Sequence, residues 1–508
     1  MSEILGGILW NIIPTAHALV MSFVGSGLCL GSGLFIYHTL KKYLPGIPLL
    51  LILLCGSLFS LGWFHYLHYD TWTVFFLSLE IFLLFQWFHI LDRKKLFWCG
   101  IVYGINIYIR LPNVLHGICI ISIIWFILWH DERKKLWKDL GVMLVGVLLS
   151  LGVTTIIVVN WIGGDNFLRE IGSYFSRATG QIETTGYSIY DSIFVIAQYY
   201  TDGIGQALKD IILCMLIVLL EKLGLRLLQK YISKDTLQKN ILVLNVVIGI
   251  LAGVFVFIWN YSKELNLSVC ISLGTILGFA AAWCFRKKDI VLSSLCLAAA
   301  LIELIFKMGT NNGVKFHVIF ITLPIGIFAA ALIHLGKGRL QELKNLYISF
   351  LLTLTLLGGI HEAATYVYRD AGYSELTTSV EAEEYKGMLT NSERAEMINT
   401  MNDLLNQLPA GRLLMIGKCN IGYIISDHAP IGKAWLDVSS YSFEKFNLDL
   451  TEKFEAGERP YIVIVTPDQY SDSAIDEQKT ARVYEWIHEY QYVRQYSDSH
   501  FELWLPVM

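Results

Sequence analysis

The sequence predicts a polytopic all-α membrane domain followed by a small extracytoplasmic α/β domain, and three observations predict it. Over 508 residues, 55% are hydrophobic and only 16% are charged, a balance typical of membrane proteins and not of a soluble chain of this length. The apolar residues gather into runs of membrane length, a spanning helix needing about 20 of them. From about residue 362 the composition turns polar. Residues 1–361 are therefore expected to cross the membrane, and residues 362–508 to fold beside it.

About twelve apolar runs read as spans: 15–39, 46–68, 71–90, 96–110, 114–130, 139–161, 204–226, 240–261, 265–285, 289–308, 316–335 and 342–361. Residues Met1 to Pro14 lack the basic region and small-residue cleavage site of a signal peptide, so the first span itself starts insertion. Short cytoplasmic loops are enriched in Lys and Arg. Such clusters occur at every second connection: Lys41 and Lys42; Arg93 to Lys95; Arg133 to Lys138; Lys222 to Lys239; Arg286 to Lys288; and Lys337, Arg339 and Lys344. The intervening connections, which carry Asp70, Arg110, residues 163–202, Lys263 with Glu264 and the stretch 307–317, then face outward, as do both termini.

In the polar part, "TNSERAEMINTMNDLLNQL" places Thr390 and Glu393 at capping-box spacing ahead of apolar residues at helical intervals. "GRLLMIG" and "PYIVIVT" read as short buried strands, and "YVRQYSDSHFELWLP" as another strand. A domain of roughly 140 residues fits.

Several function classes fall away. The net charge of −4 is small and its charges are segregated, which gives no footing for nucleic-acid binding. Eight of the nine cysteines, Cys29 to Cys296, lie in or beside apolar runs and Cys419 stands apart, so no disulfide framework is indicated. The motifs of soluble nucleotide and zinc chemistry do not occur.

Four outward features could carry chemistry. Asp70, flanked by His65, His68 and Tyr69, reads either as a solvated turn or cap residue or as a carboxylate at a cavity rim, able to orient or deprotonate a hydroxyl. In "INIYIRLPN", Arg110 closes a span and Pro112 forces a turn. It either snorkels to lipid headgroups or holds a phosphate bidentately. "KMGTNNGVKFH" gathers Lys307, Asn311, Asn312, Lys315 and His317 around two glycines; it is either a plain turn, with Lys307 paired to Glu303, or a second contact for an anion or sugar. The stretch Gly163 to Ser192 mixes apolar residues at helical spacing with Arg169, Tyr174, Arg177 and Tyr187. It reads as an interfacial amphipathic helix, a plain anchor or the wall of a groove. Glu80, mid-span, is a functional suspect by depth or a protonated packing residue.

Taken together, "YLHYDTWTVFFL", the later span ending "GINIYIRLPN", the many spans and the polar C-terminal domain resemble the GT-C-fold glycosyltransferases. The bacterial protein O-mannosyltransferases and the lipid A aminoarabinose transferase are the nearest in layout. The resemblance implies a multi-pass plasma-membrane enzyme, in a bacterium the inner membrane. Such an enzyme transfers a sugar from a polyprenyl-phosphate donor to a hydroxyl of a cell-envelope acceptor. Its partners are that donor, membrane lipids and the acceptor. Asp70 would take the place of an acidic residue of the second outer loop, and Arg110 that of the basic residue closing a later span. Beside what the resemblance carries over, the outward position of His68 and of the Lys307 to His317 cluster makes them further candidates for substrate binding. No cofactor is required, and a divalent metal stays an open alternative. One departure is plain: the family's first span and first outer loop, with its principal aspartate, have no counterpart here. Either the sequence starts late or this member is incomplete. A polysaccharide polymerase, a secondary transporter and a non-catalytic membrane protein are the competing expectations.

Overall fold

Long apolar stretches become helices because only a helix satisfies every backbone N–H and C=O within one segment. A computed structural model describes residues 2–13, 15–44, 46–61, 67–131, 133–179, 189–228, 234–260, 263–305, 341–365, 367, 370–417, 419–434, 436, 441–466 and 476–507. They are mostly helical, with a small sheet region. The helices of the apolar part are α1 (Ser2–Ile12), α2 (His17–Leu40), α3 (Gly46–Leu61), α4 (Tyr69–Ile90) and α5 (Arg93–Ile109). A 3-10 helix, Leu111–Cys119, leads into α6 (Ile120–Trp129). Then come α7 (Arg133–Ile162), α8 (Gly164–Ala178), α9 (Ile189–Leu228), α10 (Lys234–Asn260), α11 (Lys263–Phe285), α12 (Ile290–Ile305) and a helix over Gln341–Thr365.

Five stretches among the described residues are long and apolar enough to cross a membrane: His17–Leu40, Tyr69–Ile90, Leu111–Trp129, Leu136–Ile162 and Ile348–Thr365. Four shorter apolar helices accompany them: Gly46–Leu58, Val243–Trp259, Gly274–Phe285 and Ile290–Ile305. The expected span over 316–335 lies outside the described residues. Two local readings change. The run at 114–130 is not one α-helix, because Pro112 sits at the start of a 3-10 segment that continues to Cys119. Residues 189–202, expected in an outer connection, are already helical and continuous with α9.

The chain divides into two compact units, one comprising mainly Val24–Thr179 and Gly186–Ala363, the other mainly Ala364–Met508. In the first, α4 is apolar all round and the most enclosed of the five candidate spans, as expected for a helix inside a bundle. It forms a hairpin with α5 through only two residues. Leu91 closes α4 in the left-handed region (φ 56°), and Asp92 caps α5 by accepting from the Lys94 amide at 3.0 Å. Small residues then let α5 and α7 approach backbone to backbone: a Cβ on Gly100 would run into the Met143 carbonyl, and one on Gly146 into that of Phe97. At the hairpin end, buried Asp139 of α7 accepts from Trp87 Nε1 (3.3 Å) and Arg93 Nε (2.5 Å), tying three helices together. Trp125 of α6 donates to Ser293 of α12 at 2.8 Å, and Ser293 in turn to the Ala282 carbonyl of α11 at 2.5 Å.

The second unit carries strands β1 (Thr378–Ser379), β2 (Leu389–Thr390), β3 (Arg412–Ile416), β4 (Ala429–Pro430), β5 (Tyr461–Val465), β6 (Val493–Ser497) and β7 (Phe501–Leu505). β1 and β2 pair alone, and the other five form one sheet in the order β4-β3-β5-β7-β6. β3 is parallel to β4 and β5, whereas β7 is antiparallel to β5 and β6. Both faces of β3 and β5 are covered, which is why each is a nearly unbroken apolar run. On one face Leu414, Ile416, Ile462 and Ile464 meet Phe446, Leu450 and Phe454 of helix Phe443–Glu455, with Val483 and Trp486 of helix Glu477–Glu489. On the other face Leu413, Met415, Val463 and Val465 meet Ile398, Met401 and Leu405 of helix Ser392–Asn406.

The cap of that last helix is Asn391, which accepts from the Arg394 amide at 2.9 Å, and not Thr390. Thr390 belongs to β2 and donates its hydroxyl to Asp370 instead (2.9 Å to Oδ2). Likewise "YVRQYSDSHFELWLP" is two strands of a hairpin, because Asp498 turns the chain. Its carboxylate accepts from the amides of His500 (2.7 Å) and Phe501 (2.9 Å) and from the Tyr496 hydroxyl (2.8 Å).

Burial alone would raise the Asp498 carboxyl, but the hydrogen bonds from Phe501, His500 and Tyr496 outweigh it and hold the group below its ordinary value of 3.8. A depressed pKa contributes stability that is fully present above the unfolded value and is lost as pH falls through the folded one. Asp498→Asn is expected to lower the melting temperature at pH 7 and to remove this part of the loss below about pH 4. The effect should stay under about 1 kcal/mol, since the turn is exposed and screened. Matching melts of both proteins at pH 7 would show that the turn holds without the charge.

Gly417, directly after β3, has φ +112°, and a Cβ there would collide with the Val465 carbonyl. Gly417→Ala should therefore destabilise the C-terminal unit by about 1–3 kcal/mol, read as an earlier chemical-denaturation midpoint in the full chain. An unchanged midpoint would refute it.

Candidate functional site

The α4–α5 hairpin brings the start of one helix beside the end of the other, and several polar residues of the apolar unit meet there, Asp70, Thr73, Asn106, Arg110 and Asn113 among them. α4 begins at Tyr69 with His68 as its cap: His68 Nδ1 accepts from the Asp70 amide at 3.3 Å. Accepting requires a lone pair on Nδ1, so in that arrangement the ring proton sits on Nε2. Asp70 is thus a first-turn residue and not the cap, where a carboxylate meets the favourable end of the helix dipole. It is no solvated turn residue either, being only 2% exposed.

The Arg110 guanidinium and the His68 ring both face that buried carboxylate. Arg110 Nη1 lies 3.6 Å from Asp70 Oδ1, and His68 Nδ1 lies 3.4 Å from Oδ2. The Arg110 guanidinium also stands 5.9 Å from the Tyr69 ring centroid, and the His68 and Tyr69 rings are 3.8 Å apart. Arg110 reaches this position because α5 ends at Ile109. The arginine itself is extended (φ −151°, ψ 120°), between the helix and the Pro112 turn.

Beneath the ion pair is a polar layer that residue patterns alone did not single out. Asn113 donates its side-chain amide to Thr73 Oγ1 (3.0 Å), to the Asn106 carbonyl (3.0 Å) and to Asn106 Oδ1 (2.9 Å). All three residues are at most 1% exposed. His116, in the same 3-10 segment, is also buried. The signal was present in "GINIYIRLPN": an asparagine inside an apolar helix and another just past it are costly unless they are paired.

Lys307, Asn311, Asn312, Lys315 and His317 lie outside the described residues. Of the amphipathic stretch, Gly164–Ala178 forms α8, with Leu168 and Phe175 exposed. Glu80, about three turns into α4, is fully buried and neither carboxylate oxygen has a hydrogen-bond partner among the described residues. No three His, Cys, Asp or Glu side chains converge as a metal site among those residues.

Comparison with family models, with curated proteins and with solved structures finds no match to this chain. The chemistry of the site therefore rests on its own residues. A buried carboxylate can accept a proton from a hydroxyl brought to it. A guanidinium beside it can hold a phosphate at two oxygens and stays charged at any working pH.

Proposed function

We propose that the protein is an integral-membrane glycosyltransferase of GT-C-like architecture. It moves a sugar from a polyprenyl-phosphate donor to a hydroxyl of a cell-envelope acceptor at the outer face of the plasma membrane. In this reading the chain has about twelve spans, and the α/β unit is extracytoplasmic. The single observation that supports it best is the buried pair of Asp70 and Arg110, 3.6 Å apart at the joined ends of two apolar helices. The alternation of basic clusters along the chain supports an outer position for that end.

Asp70 takes the proton of the acceptor hydroxyl as its oxygen bonds to the anomeric carbon. The bond from that carbon to the donor phosphate oxygen breaks, and its electron pair leaves with the phosphate. Arg110 offsets the charge that grows there, and His68 and Tyr69 border the carboxylate.

The test is reconstitution in proteoliposomes with a polyprenyl-phosphate sugar and an acceptor alcohol. Release of polyprenyl phosphate matched by glycosylated acceptor is the expected result. Substrate-dependent uptake of a solute without cleavage of the lipid-linked sugar would replace this reading with a transporter.

A further inference from the structure

The Asn106–Asn113–Thr73 layer makes a poor stability device. An apolar trio of the same volume would pack as well between α4 and α5, and burying amides inside a bundle costs free energy unless every group is paired. Here the pairing is incomplete: Asn106 Nδ2 and Asn113 Oδ1 have no hydrogen-bond partner among the described residues. What the layer does accomplish is local and directional. The Asn106 carbonyl accepts from the Arg110 backbone N–H at 3.3 Å and from Asn113 Nδ2 at 3.0 Å, while the Asn113 backbone N–H donates to the Arg110 carbonyl at 2.9 Å. Both backbone groups of Arg110 are tied by these main-chain bonds, and the Asn113 side-chain amide braces them by binding the same Asn106 carbonyl that holds the Arg110 N–H. A further bond from Asn113 Nδ2, to Thr73 Oγ1 at 3.0 Å, anchors the assembly one turn beyond Asp70 on α4. A helix that simply ended at Ile109 would leave Arg110 free to turn its guanidinium toward lipid headgroups.

We propose that Asn113 is a positioning residue: its side-chain amide, bound to Asn106 and Thr73, holds the extended Arg110 with its guanidinium at Asp70 and so sets the site's affinity for a phosphate carried on a lipid. This rests on the transferase reading only for the identity of the ligand. Asn113 itself is only 1% exposed and acts through Arg110. The orientation of its amide is fixed, since a backbone carbonyl can only accept and Nδ2 must face Asn106.

A double-mutant cycle separates positioning from packing. Affinity for undecaprenyl phosphate is measured in nanodiscs for the wild type, Asn113→Leu, Arg110→Ala and the double variant, with melting temperatures of all four. Asn113→Leu keeps the branched shape of the side chain and loses the three hydrogen bonds. The expected result is a loss of about tenfold or more in affinity for Asn113→Leu alone, and no further loss when it is added to Arg110→Ala. Asn113→Leu with unchanged affinity, or the same fold-loss in both backgrounds, would overturn the proposal. If Arg110→Ala binds the lipid phosphate as well as the wild type, the phosphate reading fails. The melting temperatures then decide on positioning: shifts from Asn113→Leu and Arg110→Ala that add independently overturn it, and a combined shift smaller than their sum supports it. Asn113→Gln serves as the second variant, keeping the amide, if the leucine protein does not fold.

Discussion

Asp70→Asn is expected to abolish sugar transfer, lowering kcat by at least about 10²- to 10⁴-fold, the usual contribution of a positioned general base. The substitution is nearly isosteric and preserves an acceptor toward Arg110, but an amide oxygen cannot take a proton at any working pH. Because Asp70 is 2% exposed and faces Arg110, whose side chain is itself 10% exposed, neutralising it also leaves a guanidinium without its counter-charge. Breaking a buried ion pair from one side costs up to about 3–5 kcal/mol, so activity must be read together with the melting temperature and the elution profile. Asp70→Glu separates the two effects. It keeps the charge, and with it most of the stability, while moving the carboxylate by one methylene, enough to lose the alignment that proton transfer requires. Normal turnover by a folded Asp70→Asn protein would reduce Asp70 to a partner of Arg110 and remove the base from the mechanism.

Why Asp70 and Arg110 could be picked out from the chain, and the layer beneath them could not, is a matter of range. Each stands as a charge at the edge of an apolar run, so each is conspicuous alone. Their meeting follows from a local feature too. Asp92 caps α5 right after α4 closes at Leu91, and two antiparallel helices joined so tightly must bring their far ends together. The contact from Asn113 to Thr73 crosses 40 positions and depends on how Arg110 leaves the helix, which periodicity does not report. Side-chain competition explains the local misreadings. Thr390 has the capping spacing, but strand pairing of β2 and the Asp370 carboxylate claim it, leaving the next residue to cap. Asp498 lies in a stretch of strand-like composition, and its carboxylate is what folds that stretch back on itself. The apolar strands β3 and β5 were legible because burial on both faces leaves no alternation to misread.

Arg110→Lys carries the second large expectation: a fall of at least about tenfold in kcat/KM for the lipid-linked donor, with Arg110→Ala losing about 10²- to 10³-fold, the scale reported by removal of one transition-state donor. Conservation of charge makes the lysine variant the informative one. An ammonium is a compact, strongly hydrated point charge, whereas the guanidinium presents a planar fork that can bridge two phosphate oxygens. At Arg110 the geometry favours the fork for a second reason: the group stands 5.9 Å from the Tyr69 ring, a distance at which a planar cation gains from the ring face. If the arginine binds the phosphate equally in ground and transition states, both variants should raise KM and spare kcat; if it answers charge that grows as the glycosidic bond breaks, kcat should fall as well. The mechanism requires the second pattern. A lysine variant with wild-type kcat and KM would mean that any cation suffices there. Arg110 would then serve only as the charged partner of Asp70 inside the bundle.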